Sequence, residues 1–246
     1  MHQAADTGDT GDTGEVIVDL ARRAVQATCA HMVADAMVVG SAGNVSVRVD
    51  QHRFVVSAGG VAYHRLHPGD HPLVDLRTGT WTGPLAPTSE LHLHLALMRA
   101  RPDVGAVVHT HSPYAAGFSV ARLDLEWVCN ENIGPRGERI LVTSPYAPPG
   151  SNDLAIAAVA ALDAQPGSRA CLLANHGPLA IGDDVDEAYL IARQVEWIAH
   201  ITHVARSVGT VHVLSAPEQD AIGINYGFAV ARPKPRADRT VAAART

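Results

Sequence analysis

The sequence lacks several things that would decide its class at once. No run of about eighteen apolar residues occurs anywhere, which excludes a membrane-spanning helix. No basic segment followed by an apolar one opens the chain; Met1 to Glu15 is polar and acidic, so it does not read as a secretory leader. Cysteine is scarce: Cys29, Cys129 and Cys171 are three, odd and far apart, which argues against both a disulfide framework and a cysteine metal cage and fits reduced thiols in the cytoplasm. Positive charge is not in excess. The formal net charge is −6, so nothing global points to nucleic acid. Aromatic residues are few as well, and the 14 histidines outnumber the 3 Phe, 5 Tyr and 3 Trp together.

What is present suits one large α/β domain. Apolar residues make up 47% of the 246 and charged residues 18%, enough for a substantial core. Residues 1–14 contain the acidic glycine repeat TGDTGDTG and read as a disordered tail; residues 231–246 read as a loose basic tail; 15–230 remain as the domain. Helical apolar spacing runs from Glu15 to Val39, from Glu90 to about Arg101, from Asn152 to Asp163 and from Asp183 to about Ser207. Short strands are expected at Val45–Val49, Phe54–Val56, Leu73–Leu76, Ala106–His111, Ile140–Thr143, Cys171–Ala174 and Leu179–Ile181. Several are joined by short turns, so the sheet cannot be purely parallel.

Four local patterns carry chemistry. In Val107-Val108-His109-Thr110-His111, alternation on a strand puts both imidazoles on one face, a pairing that suits a divalent metal. In Leu172-Leu173-Ala174-Asn175-His176-Gly177, an apolar strand delivers a third histidine at a turn; three protein ligands and an open position make a catalytic metal site. In Pro87-Thr88-Ser89-Glu90, a helix start offers hydroxyls and backbone N–H groups to an anion, with Glu90 in the first turn. His92 and His94 follow, roughly 200° apart around the helix, so at most one of them faces a site there. In Gly40-Ser41-Ala42-Gly43-Asn44-Val45-Ser46, small residues let backbone approach a phosphate, and Ser57-Ala58-Gly59-Gly60 is a second loop of that kind. Taken singly, each has an ordinary explanation: surface histidines, a turn, a helix cap, a loop.

Together and in this order, the four patterns resemble the class II aldolase and adducin family, over about Glu15 to Gly227. The resemblance implies a three-layer α/β/α domain with a mainly antiparallel central sheet, working as a homotetramer. It implies His109, His111 and His176 as ligands of Zn²⁺, with Mn²⁺, Co²⁺ and Fe²⁺ as alternatives that three imidazoles do not distinguish. It implies Glu90 as the catalytic acid–base. Ser41, Asn44, Gly60, Thr88 and Ser89 match the phosphate-binding positions, and His94 falls at a common family position on the helix after Glu90, where it reads as packing or support of the site and not as a metal ligand. The implied reaction is reversible cleavage of a ketose 1-phosphate to dihydroxyacetone phosphate and a short aldehyde, through a metal-stabilised enediolate. Epimerase, dehydratase and decarboxylase chemistry on phosphorylated sugars or sugar acids would use the same site. A non-catalytic adducin-like module is the remaining alternative. One departure concerns a tyrosine that the family's aldolases carry after the H-x-H strand: Leu125-Glu126-Trp127-Val128-Cys129 has none. Tyr226, in Asn225-Tyr226-Gly227, resembles a second family tyrosine that reaches a neighbouring subunit's site.

Overall fold

The computed structural model describes residues 10–130, 139–165 and 167–225. Seven strands form one sheet: β1 (Asn44–Arg48), β2 (Arg53–Val56), β3 (Leu73–Asp75), β4 (Trp81–Thr82), β5 (Ala106–His109), β8 (Ala170–Leu173) and β9 (Gly177–Gly182). Their order is β4-β3-β2-β1-β5-β9-β8, and every neighbouring pair is antiparallel. A small ribbon pairs β6 (Leu125–Glu126) with β7 (Arg139–Ile140), and the chain after it joins β8 through a parallel bridge, Val142 to Leu172. The expected strand at Ile140–Thr143 is thus split between ribbon and bridge.

Alternation along the strands sorts side chains between two cores. Val45, Val55, Ala106, Val108, Leu172 and Ala180 face α1 (Thr10–Ala34), α3 (Pro113–Ala121) and α5 (Val185–Val208). Their strand neighbours Val107, Phe54, Cys171, Leu173, Leu179 and Ile181 face α2 (Leu91–Ala100) and α4 (Asn152–Ala164). Helices therefore cover both faces, as a three-layer α/β/α domain requires.

Helix ends differ from the sequence expectation for identifiable reasons. α1 begins at Thr10, so residues 10–14 of the segment read as a disordered tail are helical. It ends at Ala34, because Ala36 takes a left-handed φ of 56° and turns the chain. α5 starts where the Asp184 carboxylate accepts from Glu187 N while Glu187 Oε2 accepts from Asp183 N. α6 (Ala216–Asn225), which no apolar period announced, follows it. Arg48, at the end of β1, donates to Met98 O, Arg101 O and Val104 O, clamping the last turn of α2 to the sheet. That clamp fixes the helix whose other end enters the site.

Candidate metal centre

β5 runs antiparallel between β1 and β9, with His109 opposite Asn44 on one side and Leu179 on the other. Directly opposed residues point to the same face. His109 and Asn44 thus project together on the side of α2. β5 ends at His109, two residues sooner than expected, and His111 lies just past it. His176 comes from the turn joining β8 to β9, where Asn175 holds a φ of 54°, a conformation that asparagine tolerates. Gly177 is required by close approach: a Cβ there would stand 2.2 Å from Thr110 O. Gly43 is under the same constraint, since a Cβ would meet His109 O at 2.6 Å in a backbone of φ 73°. Both glycines therefore hold neighbouring segments against the H-x-H strand.

The three histidines converge. His109 Nε2 is 3.1 Å from His111 Nε2 and 3.2 Å from His176 Nε2. Glu90 joins them: Oε2 is 3.3 Å from His109 Nε2 and Oε1 is 3.8 Å from His176 Nε2. All four ligand atoms lie within 4.8 Å of one another. His109 Nδ1 is 2.9 Å from Pro178 O, which can only accept, so the ring hydrogen is on Nδ1 and Nε2 presents a lone pair. Burial holds the His109 pKa well below the ordinary histidine range, and repulsion from His176 and His111 adds to it. Burial also lowers His111 and His176. Neutral imidazoles with lone pairs aimed at one point are the donor set of a divalent-metal site. Glu90 Oε1 is buried with no hydrogen-bond partner, as is His176 Nδ1. A buried carboxylate oxygen without a partner is costly unless a cation or substrate meets it. The residues present therefore fit a divalent ion.

Glu90 departs from its expected place. It is the N-cap residue of α2, not part of the first turn, and its side chain caps nothing. Instead the Thr88 hydroxyl accepts from Glu90 N at 3.3 Å, and the carboxylate turns inward to the histidines. Asn44 Nδ2 donates to Glu90 Oε2 at 2.8 Å. Its Oδ1 is 2.6 Å from His94 Nε2, and His94 Nδ1 is 2.7 Å from Ser46 Oγ. Sequence reasoning assigned Asn44 to phosphate alone and passed over Ser46. The signal was there: Asn44 and Ser46 are two apart on a strand and share a face.

The other phosphate candidates sit on adjoining loops. Ser57 N donates to Val45 O, Thr88 N to Ser57 O and Gly59 N to Ala86 O, lacing the loop after β2 to the start of β1 and to the approach to α2. Ser41 and Ser89 are exposed, Thr88 is buried, and Gly60 has no atom within 4 Å of where a Cβ would stand. Tyr226 lies outside the described residues. No helix among the described residues is long and apolar enough to cross a membrane.

Comparison with known proteins agrees with this geometry. The family described as Class II Aldolase and Adducin N-terminal domain matches residues 23–203. A 5-deoxy-D-ribulose 1-phosphate aldolase of Bacillus thuringiensis serovar kurstaki is 31% identical over 79% of this chain and 90% of its own. A 5-methylthioribulose-1-phosphate/5-deoxyribulose-1-phosphate aldolase of Rhodospirillum rubrum is 32% identical over 74% of this chain and 80% of its own. Among solved structures, an L-fuculose 1-phosphate aldolase superposes with a TM-score of 0.77 at 27% identity, covering 85% of this chain and 96% of that one.

Proposed function

The chain belongs to the class II aldolase and adducin family and is a lyase, and from that premise we propose that it cleaves a ketose 1-phosphate reversibly to dihydroxyacetone phosphate and a short aldehyde. The observation that carries this reading is the meeting of the Glu90 carboxylate with three imidazole nitrogens inside a 4.8 Å cluster. The relatives' names support the substrate class, since both are named for ketose 1-phosphates.

His109, His111 and His176 would hold the ion, with Zn²⁺ as the first choice and Mn²⁺, Co²⁺ or Fe²⁺ compatible with the same donors. When bound, it supplies a Lewis acid, positive charge against which an anion beside it is stabilised. Breaking the C3–C4 bond sends the C4 hydroxyl proton out by way of the group at the aldehyde end, makes C4 the aldehyde carbon and leaves the electron pair on C3. Glu90 supplies the proton that C3 then needs, and takes it back in the aldol direction. Oε1 is the atom for this, because Oε2 is occupied by Asn44. Ser41, Gly60, Thr88, Ser89 and the second N–H of Asn44 share the phosphate, without need of Lys or Arg. Tyr226 is the proposed group at the aldehyde end, reached from a neighbouring subunit of a homotetramer.

Glu90→Gln tests the assignment. It keeps size and hydrogen bonding but cannot carry a proton. With 5-deoxyribulose 1-phosphate and L-fuculose 1-phosphate as trial substrates, kcat should fall by about 10² or more while KM stays within a few-fold. Near-normal turnover with metal retained would remove Glu90 from the proton transfer.

A further inference from the structure

Behind the metal cluster lie three buried polar side chains. Ser46 and His94 are 0% exposed and Asn44 is 2% exposed. They form a single file that ends on Glu90: Ser46 Oγ to His94 Nδ1, His94 Nε2 to Asn44 Oδ1, Asn44 Nδ2 to Glu90 Oε2. The direction of each bond follows from what each group is able to do. A carboxylate oxygen accepts, so the amide end facing Glu90 is the NH₂. Oδ1 then faces His94 and also accepts, so the hydrogen of His94 is on Nε2. A neutral ring with its hydrogen there has a lone pair on Nδ1, which takes the hydroxyl hydrogen of Ser46.

We propose that His94 is a positioning residue for Glu90: by donating to Asn44 Oδ1 it holds the Asn44 amide in the orientation that pins Glu90 Oε2 beside His109 and leaves Oε1 beside His176 with no hydrogen-bond partner. The opposite amide orientation would set Oδ1 against a carboxylate oxygen, acceptor on acceptor, and would turn the NH₂ onto the ring N–H. The carboxylate on one side and the ring N–H on the other therefore ask the amide for the same orientation. The placement in the fold is consistent with the role. His94 lies one turn along α2 from Glu90, and Asn44 and Ser46 are alternate residues of β1, with Asn44 directly opposite the ligand His109. The bracket thus references the carboxylate on the helix to the strand that carries the metal ligands. A residue needed only for packing would have no use for two directional contacts, one from each ring nitrogen. This inference rests on the role given to Glu90 above.

The test uses the full chain with His94→Gln and His94→Asn. A Gln amide nitrogen takes the place of ring Nε2 and still donates to Asn44; an Asn amide nitrogen takes the place of Nδ1 and does not reach it. Two quantities are read after a melting curve shows both variants folded: the Co²⁺ affinity of metal-depleted protein, which involves no substrate, and kcat against KM. Removing support behind a metal ligand or catalytic group commonly costs 10- to 100-fold. His94→Asn should weaken Co²⁺ binding and lower kcat, each by about 10-fold, with KM within about threefold; His94→Gln should restore both to within about threefold of wild type. If the two variants behave alike in Co²⁺ affinity, both normal or both impaired, the positioning role is overturned. A split in Co²⁺ affinity in a protein that turns over no ketose 1-phosphate would support the positioning role and sink the proposed reaction instead. Should His94→Asn fail to fold, Asn44→Asp serves: it still accepts from His94 but sets an oxygen against Glu90 Oε2, and a wild-type kcat in that variant would overturn the proposal.

Discussion

At the residue scale, His71 shows how the loop after β2 depends on a neutral ring. His71 is wholly buried, its Nδ1 accepts from Ala58 N at 3.2 Å, and its Nε2 donates to Gln26 Oε1 at 2.9 Å. Charging the ring would turn Nδ1 into a donor facing a donor. Burial lowers its pKa to about 4; Asp70 opposes the shift and Arg22 reinforces it. A histidine lowered from its ordinary value near 6.5 binds fewer protons folded than unfolded between the two values. Its contribution is therefore complete above about pH 6.5, falls as pH drops, and is gone below about pH 4, a loss of up to about 3 kcal/mol. Comparing melts of wild type and His71→Gln across pH 7 to 4 checks this: the gap in stability should shift against the wild type as pH falls. A gap independent of pH would mean that His71 stays charged, or stays neutral, in both states. The histidines also show what single-residue reasoning reaches. His109, His111 and His176 were legible because alternation and turn position are local properties. The contacts of Asn44 were not, because its partners Glu90 and His94 are 46 and 50 residues away.

At the scale of elements, most segments were legible and their ends were not. Apolar periodicity found α1, α2, α4, α5 and the main strands. It misplaced boundaries by a few residues because caps and left-handed turns, such as that at Ala36, decide where an element stops. Glu90 is the clearest case. The sequence places this glutamate in the first helical turn, yet as the N-cap it directs its side chain away from the helix and into the site. α6 escaped because its apolar positions follow no clear helical period. The β8–β9 hairpin carries the element-scale prediction. Gly177 lets this hairpin lie against Thr110, with room for no side chain. Gly177→Ala should cost about 1–3 kcal/mol and, by displacing His176 from His109 and His111, weaken metal binding. Denaturant unfolding of the metal-loaded and metal-depleted variant separates the two effects. An alanine variant with unchanged metal affinity would show that His176 is placed by something other than this contact.

At the scale of the molecule, the layer architecture was legible from the interleaving of helices and strands, but the strand order was not. β1 finds β5 across three intervening strands and α2, and β5 finds β9 across β6, β7 and β8, and no local pattern announces either pairing. Those two pairings are what bring Asn44, His109 and the His176 turn to one end of the sheet, so fold and site are specified by the same long-range contacts. The two cores on either face of the sheet are built from residues outside the metal cluster. The domain should therefore keep its secondary structure when the metal is taken away, while the chemistry should not survive. The most direct measurement is release of dihydroxyacetone phosphate from a ketose 1-phosphate by protein stripped with a chelator, then reloaded with one equivalent of Zn²⁺, Mn²⁺ or Co²⁺, with circular dichroism recorded throughout. The account predicts an unchanged spectrum, turnover reduced by about 10² or more in the stripped protein, and recovery on reloading; full turnover by folded, metal-free protein would contradict it.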